Sequence, residues 1–336
     1  MKPRICGLLT IAAFVSGCLA GAPTLAQNAY ITNEGLFLNP GKTVSVIDTA
    51  TNAVTATIPV GSEPFGVAVS PDGAKVYVAN AGPNTVSVID GATNAVTATI
   101  AVGRRPLGVA VSPEGDNVYV ANFLSNTVSV IDTVTNAVTA AIRVGIDPEG
   151  VAVSPDGSNI YVANGISGTV SVIDSATNAV TATIRVGILP GGVAVSPDGS
   201  KVYVTNENSG TVSVIATPSN IVTATIRVGT NPFGVAASPD GSKVYVANGG
   251  SGTVSVIATA TNAVSTITDP SFNAPIAFGV FIIRPSFAGT PGFSNCHGQS
   301  VAALARRFGG LNAAAPALGF PSVEALQDAV TAFCRS

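Results

Sequence analysis

Three observations predict an all-β fold, a β-propeller of six four-stranded blades with a composite closing blade. They are a 42-residue period, four strand-like runs inside each period, and an apolar content of small β-branched residues. Tyr77, Tyr119, Tyr161, Tyr203 and Tyr245 each open a Tyr-Val-(Ala/Thr)-Asn tetrad at intervals of 42 residues. Hydrophobic residues make up 46% of the 336 and charged residues 10%, with no Trp and a single Met. Sheets covered on both faces have this composition. Seven blades is the alternative count.

The chain opens with Lys2 and Arg4 ahead of an apolar run from Ile5 to Val15, which is too short to span a bilayer. Residues 1–26 therefore read as a signal peptide. Two readings of its end stay open: small residues at Thr24-Leu25-Ala26 suit an ordinary signal peptidase, and Val15-Ser16-Gly17-Cys18 suits lipidation of Cys18. The expected location is periplasmic or secreted; the alternative is an outer-membrane lipoprotein anchored through Cys18. No transmembrane segment is expected.

Residues 27–285 hold the repeats. One period runs Phe65 to Ser70, Lys75 to Asn80, Thr85 to Asp90 and Ala95 to Ile100. The turn Ser70-Pro71-Asp72-Gly73 joins the first two runs, and Thr93-Asn94 joins the last two; Pro fixes φ, and Gly and Asn tolerate positive φ. Five complete blades begin at Phe65, Leu107, Glu149, Gly191 and Phe233. Ahead of them, Tyr30-Ile31-Thr32-Asn33, Thr43 to Asp48 and Ala53 to Ile58 supply a second, third and fourth strand without a first. Phe278 to Ile283 supplies a first strand with nothing after it. Joining these two ends in one sheet would remove open edges.

Beyond the repeats, residues 286–295 read as a linker and 296–336 as a small helical module. Val301, Leu304, Ala305 and Phe308 share one helix face, and Val323, Leu326, Val330 and Phe333 share another. With Cys6 removed and Cys18 removed or lipidated, Cys296 and Cys334 are the pair left in an oxidising compartment, and a disulfide between them is expected.

Tyr-Val-Ala/Thr-Asn, Thr-Val-Ser-Val-Ile-Asp and Gly-Val-Ala-Val-Ser-Pro-Asp-Gly resemble the motifs of the YVTN-repeat β-propeller family over about residues 28–285. The resemblance implies an exported or surface propeller, often seven-bladed, with surface-layer-like and lactonase-like relatives. It identifies a fold and leaves the activity open.

A formal charge of −3 argues against a nucleic-acid partner held by bulk charge. The repeats contain neither His nor Cys, which removes the usual general base and the soft metal ligands. The sole histidine, His297, follows Cys296 outside them. No cofactor and no metal site is expected, and carboxylates in the Pro-Asp-Gly turns read as turn formers before they read as calcium ligands.

Within the repeats the scaffold residues recur while the tips between blades vary. The variable upper-face residues Glu63, Phe65, Arg104, Arg105, Phe123, Asp147, Glu149, Glu207 and Phe233 are the candidate ligand-binding set, with no catalytic residue assigned. Arg143, Arg185 and Arg227 form a periodic basic row on the outer strands. The expected function is a non-catalytic binding scaffold for a protein, glycan or small extracytoplasmic ligand. One alternative is a lactonase-like hydrolase or lyase using Glu63, Arg105, Asp147 and Glu149 at the axial mouth; another is a structural surface protein.

Overall fold

The computed structural model describes residues 9–16, 27–36, 39–49, 51–269 and 327, and of residues 9–16, 27 and 36 the backbone alone. The described strands form six antiparallel four-stranded sheets, each contiguous in sequence. Blade 1 holds β1 (Leu9–Ser16), β2 (Gln27–Leu36), β3 (Asn39–Asp48) and β4 (Ala53–Pro59); blade 2 holds β5 (Pro64–Val69), β6 (Lys75–Asn80), β7 (Thr85–Asp90) and β8 (Val96–Ala101). Blade 3 holds β9 (Pro106–Val111), β10 (Asn117–Asn122), β11 (Thr127–Asp132) and β12 (Ala137–Arg143); blade 4 holds β13 (Pro148–Val153), β14 (Asn159–Asn164), β15 (Thr169–Asp174) and β16 (Ala179–Arg185). Blade 5 holds β17 (Pro190–Val195), β18 (Lys201–Asn206), β19 (Thr211–Ala216) and β20 (Ile221–Arg227); blade 6 holds β21 (Pro232–Ala237), β22 (Lys243–Asn248), β23 (Thr253–Ala258) and β24 (Val264–Thr268). The protein is a six-bladed β-propeller.

The strand patterns follow from where each strand sits. The second and third strands are covered on both faces, so β6 and β7 are buried almost end to end, and their residues read Val-Tyr-Val-Ala and Val-Ser-Val-Ile. The fourth strand is covered on one side only. It alternates, and a single residue of it is buried in blades 1 to 5: Ile58, Ile100, Ile142, Ile184 and Ile226. Each interface fills with the same set; Tyr77, Val86, Val88 and Ile100 of blade 2, for example, meet Val109, Val118, Val120 and Ile131 of blade 3.

The turns keep the chemistry their residues predict. Gly73 sits at φ +74° and Asn94 at φ +57°, both in the left-handed region. Ser70 Oγ donates to Asp72 Oδ1 at 2.6 Å, and the same carboxylate accepts the Ala74 N–H at 3.0 Å. The Pro-Asp-Gly turn is thus closed by its own side chains.

One expectation is corrected. The inner place of blade 1 is filled from the N-terminal side by β1, which lies within the run read as a leader, and not left for Phe278–Ile283. The physical reason is general: β2 offers an unpaired edge, and an apolar extended segment that can reach it will pair with it. Phe278–Ile283, the linker at 286–295, the Cys296–Cys334 pair, Cys18 and, apart from Gln327, the helical module at 296–336 lie outside the described residues. No helix among the described residues is long and apolar enough to cross a membrane.

Candidate functional site

The connection from one blade to the next and the loop between the second and third strands meet at one end of the propeller. Backbone hydrogen bonds tie them: Phe123 N–H to Arg105 carbonyl at 3.0 Å, Gly165 to Asp147 at 2.8 Å, Glu207 to Leu189 at 2.8 Å, with the same bond at Ala81–Glu63 and Gly249–Asn231. Side chains of the framework complete the tie. Asn126 Oδ1 accepts the Asp147 N–H at 3.0 Å, Ser167 Oγ accepts the Ile146 N–H at 2.8 Å, and Asn164 Oδ1 accepts the Gly145 N–H at 3.0 Å. The backbone of these loops is therefore held at several points, and the side chains it presents are left to vary.

Each blade presents three such side chains: the residue before the proline, the residue after it, and the first residue of the loop between second and third strands. From blade 2 to blade 6 the sets are Glu63, Phe65 and Ala81; Arg105, Leu107 and Phe123; Asp147, Glu149 and Gly165; Leu189, Gly191 and Glu207; Asn231, Phe233 and Gly249. The residue before the proline has a positive φ every time: Glu63 +51°, Arg105 +52°, Asp147 +56°, Leu189 +51° and Asn231 +48°. Every other left-handed residue of the described chain is Asn or Gly, the residues for which this conformation costs least. Only at the mouth does the chain keep Glu, Arg, Asp and Leu in it.

Glu149 is the centre of this end. Its carboxylate lies over two glycines: a Cβ added to Gly165 would stand 3.1 Å from Oε1, and one added to Gly191 would stand 3.2 Å from Oε2 and 3.5 Å from the Phe233 ring. Oε2 is shielded from solvent with no hydrogen-bond partner. Burial first, then the negative charges of Glu207 and Asp147, push this carboxyl up to about 8, against the opposing pull of Arg105. Arg105 also stands over the Phe123 ring, 5.5 Å from guanidinium carbon to ring centre, a cation–π distance.

Glu34 belongs to the same neighbourhood. Burial and the charge of Glu63 push it up to about 7, with Arg105 again opposing, and its Oε2 is likewise buried without a partner. The sequence set omits it. Its one signal there is its place at the head of the insertion between Asn33 and Thr43, a loop longer than those between the second and third strands of the other blades. Glu207 is raised by burial alone.

Of the sequence-derived set, Glu63, Arg105, Asp147, Glu149 and Glu207 share one electrostatic neighbourhood, with Phe123 against Arg105 and Phe233 against the glycine beneath Glu149. Phe65 occupies in blade 2 the place that Glu149 holds in blade 4. Arg104, the residue before Arg105, is exposed, and its backbone N–H is bonded to Ser125 Oγ at 2.7 Å. Arg143, Arg185 and Arg227 end the outer strands, exposed and opposite Thr127, Thr169 and Thr211.

The opposite end behaves differently. Burial would raise Asp72, Asp156 and Asp198, but the hydrogen bonds of their own turns outweigh it and hold them below the usual range. The exposed Asp240 is drawn down to about 2 by Ser238 and Ser242. Those carboxylates are ionised and satisfied by their turns, whereas at the mouth Glu34 and Glu149 are raised and short of partners. Among the described residues no group of three or more His, Cys, Asp or Glu is placed to hold a metal.

The model of the YNCE-like beta-propeller family matches residues 74–159 and 106–208. Two solved structures are similar over 80% of this chain at 22% identity. Hydrazine synthase of Kuenenia stuttgartiensis has a TM-score of 0.52 with 97% of its chain covered, and a functionally unknown protein from Desulfotomaculum acetoxidans has 0.63 with 89% covered. At this identity the likeness shows the fold alone. No curated protein matches the chain.

Proposed function

We propose that this protein is an exported, non-catalytic binding scaffold that takes its ligand at the upper mouth of the propeller. The observation that carries the reading is the ring of left-handed residues before the prolines, where Glu63, Arg105, Asp147 and Leu189 replace the Asn or Gly used elsewhere. A non-Gly residue in this region is a local strain, and strain retained in one ring of loops points to what the side chains do there. The chemistry at the mouth is mixed. Glu149, largely protonated at neutral pH, can donate a hydrogen bond, Arg105 donates several, and Phe65, Phe123 and Phe233 offer apolar faces. A glycan presents hydroxyls and an apolar ring face together, and is the ligand class that fits this combination. Export is supported by Lys2, Arg4 and the apolar run from Ile5 to Val15.

A panel of envelope oligosaccharides screened by thermal shift tests the reading, with wild type beside an Arg105→Ala/Glu149→Ala variant. At least one saccharide class should stabilise the wild type and lose most of that effect in the variant. Equal shifts for both proteins across the panel would sink the proposal.

One observation favours a second reading, a lactonase-like hydrolase or lyase. A carboxyl held protonated near neutrality beside Asp147 and Glu207 has the properties of a general acid. Turnover of a lactone by wild type that disappears in Glu149→Gln would select this reading over the first.

A further inference from the structure

Two features of the upper end are confined to the same three blades. The first is the basic row. Arg143, Arg185 and Arg227 end the outer strands of blades 3, 4 and 5, and the same place in blades 1, 2 and 6 holds Pro59, Ala101 and Thr268. The second is a set of exposed apolar side chains on the loops. Ile146 and Ile188 stand two residues before the proline of blades 4 and 5, a place that holds Ser62 and Thr230 in blades 2 and 6. Leu124 and Ile166 stand second in the loop between second and third strands of blades 3 and 4, a place that is Gly82 and Gly250 in blades 2 and 6. Exposed apolar residues taken singly are ordinary on a protein surface. The valines of the outer strands, Val54, Val96, Val138 and Val180, are of that kind, because they recur around the ring. The loop set does not recur, and it keeps to the sector of the arginines.

The two loop places adjoin within a blade. A Cβ on Gly82 would stand 2.2 Å from Ser62 Oγ, and one on Gly250 would stand 2.8 Å from Thr230 Oγ1. By the repeat, Ile166 lies beside Ile146, and Leu124 lies beside Arg104, whose carbonyl accepts the Leu124 N–H at 3.1 Å. The tips are held firmly: the N–H groups of Ile146 and Ile188 donate to Ser167 Oγ and Ser209 Oγ, each at 2.8 Å. One short stretch carries both features, Arg143-Val144-Gly145-Ile146 in one connection and Arg185-Val186-Gly187-Ile188 in the next. Arg143 pairs with Thr127 and Arg185 with Thr169, each three residues past the tips Leu124 and Ile166. The basic places therefore lie one step behind the apolar ones.

We propose that the upper rim of blades 3 to 5 docks on an anionic phospholipid surface, with Leu124, Ile146, Ile166 and Ile188 entering the interface and Arg143, Arg185 and Arg227 meeting the phosphates. The proposal is independent of the ligand at the mouth. Its depth order is that of a bilayer, apolar tips leading and guanidinium groups behind them at the headgroups. The four tips stand on separate loops of three blades. A fluid lipid surface accepts separate wedges, whereas a protein partner must supply a fitted pocket for each. Charge favours the same orientation. The net charge of −3 gives no bulk attraction to an anionic surface, but the ionised turn carboxylates Asp72, Asp156, Asp198 and Asp240 lie at the opposite end. The carboxylates of the mouth belong to the inner ring, on the axial side of the tips.

Co-sedimentation of the full chain with vesicles tests this. Wild type should bind phosphatidylcholine vesicles that contain phosphatidylglycerol, and should bind vesicles of phosphatidylcholine alone at least about tenfold more weakly. Arg143→Gln/Arg185→Gln/Arg227→Gln and Ile146→Ser/Ile188→Ser should each weaken binding to the mixed vesicles by at least about tenfold. Val134→Ser changes a residue 84% exposed at the opposite end and should bind as wild type does. Because the chain has no Trp, Ile166→Trp adds a single reporter, whose emission should move to the blue on mixed vesicles while that of Val134→Trp stays in place. Wild type that remains in the supernatant overturns the proposal and leaves the arginine row to an acidic protein partner. Binding kept in either rim variant also overturns it, since the leader segment common to all variants would then account for sedimentation. So does an Ile166→Trp emission that does not move, or binding lost in Val134→Ser. Release of wild type by free glycerol phosphate would place a phosphate site in the loops and remove the bilayer as occupant.

Discussion

Glu149 sets the pH response of the mouth. Its folded-state pKa is raised to about 8, while an unfolded glutamate titrates at about 4.3. Between those values the folded chain keeps a proton that the unfolded chain has released, so stability falls as pH rises through this window and is fully present below it. Glu34, raised to about 7, contributes with the same sign. Asp240 works in the opposite sense at the other end of the scale: its folded pKa of about 2 gives stability above the ordinary carboxylate range that is lost as pH falls towards 2. Glu149→Gln should therefore be near neutral at pH 5 and stabilising by about 1–2 kcal/mol at pH 8, read from urea unfolding across that range. Glu34 should keep part of the slope in the variant. An identical pH slope in wild type and variant would contradict the burial assigned to this carboxyl.

At the scale of the strand, the Asn that ends each second strand is the joint of the blade. Asn164 donates through Nδ2 to Thr169 Oγ1 at 3.1 Å and Ser171 Oγ at 3.0 Å, and its Oδ1 takes the Gly145 N–H at 3.0 Å. It is fully buried. One amide thus fixes the third strand and the turn that leads to the next inner strand. Asn164→Ala leaves an N–H and two hydroxyls short of a partner and should cost about 2–4 kcal/mol. Ser171→Ala removes a single acceptor and should cost about 1 kcal/mol. Urea titration of both variants checks the ratio; equal losses would mean that the amide bonds act singly.

These joints were legible in the sequence because they recur: a 42-residue period exposes Tyr-Val-Ala-Asn and Thr-Val-Ser-Val as framework, and by contrast marks the tips that vary. The candidate set around Glu149 came from that contrast. Two things were not legible. The left-handed backbone at Glu63, Arg105, Asp147 and Leu189 was hidden because these residue types do not announce a positive φ, as Asn and Gly do. The pairing of Leu9–Ser16 with β2 was hidden because an apolar run after two basic residues reads as a leader, and its ability to extend along a free edge leaves no mark in composition.

The whole molecule is a chain of interfaces, and they are unequal. Among the described residues, five apolar cores join successive blades from 1 to 6, each with the far side of one sheet buried against the near side of the next. Among the described residues, blade 6 has a neighbour of this kind on one side only. Ile267 is 45% exposed where Ile226 is 7%, and every residue of β24 is exposed. Stability in a repeat protein is close to a sum of unit and interface terms, so a unit with one good interface opens before a unit with two. Amides of β23 and β24 should exchange with an opening free energy at least about 2 kcal/mol below those of β15 and β16, given the apolar area that Tyr245, Val254 and Ile267 fail to bury. Residue-resolved hydrogen exchange on the full-length chain measures the difference directly. Equal protection in blades 4 and 6 would mean that blade 6 is held as firmly as a blade with two such interfaces, and that the exposure of Ile267 carries no energetic weight.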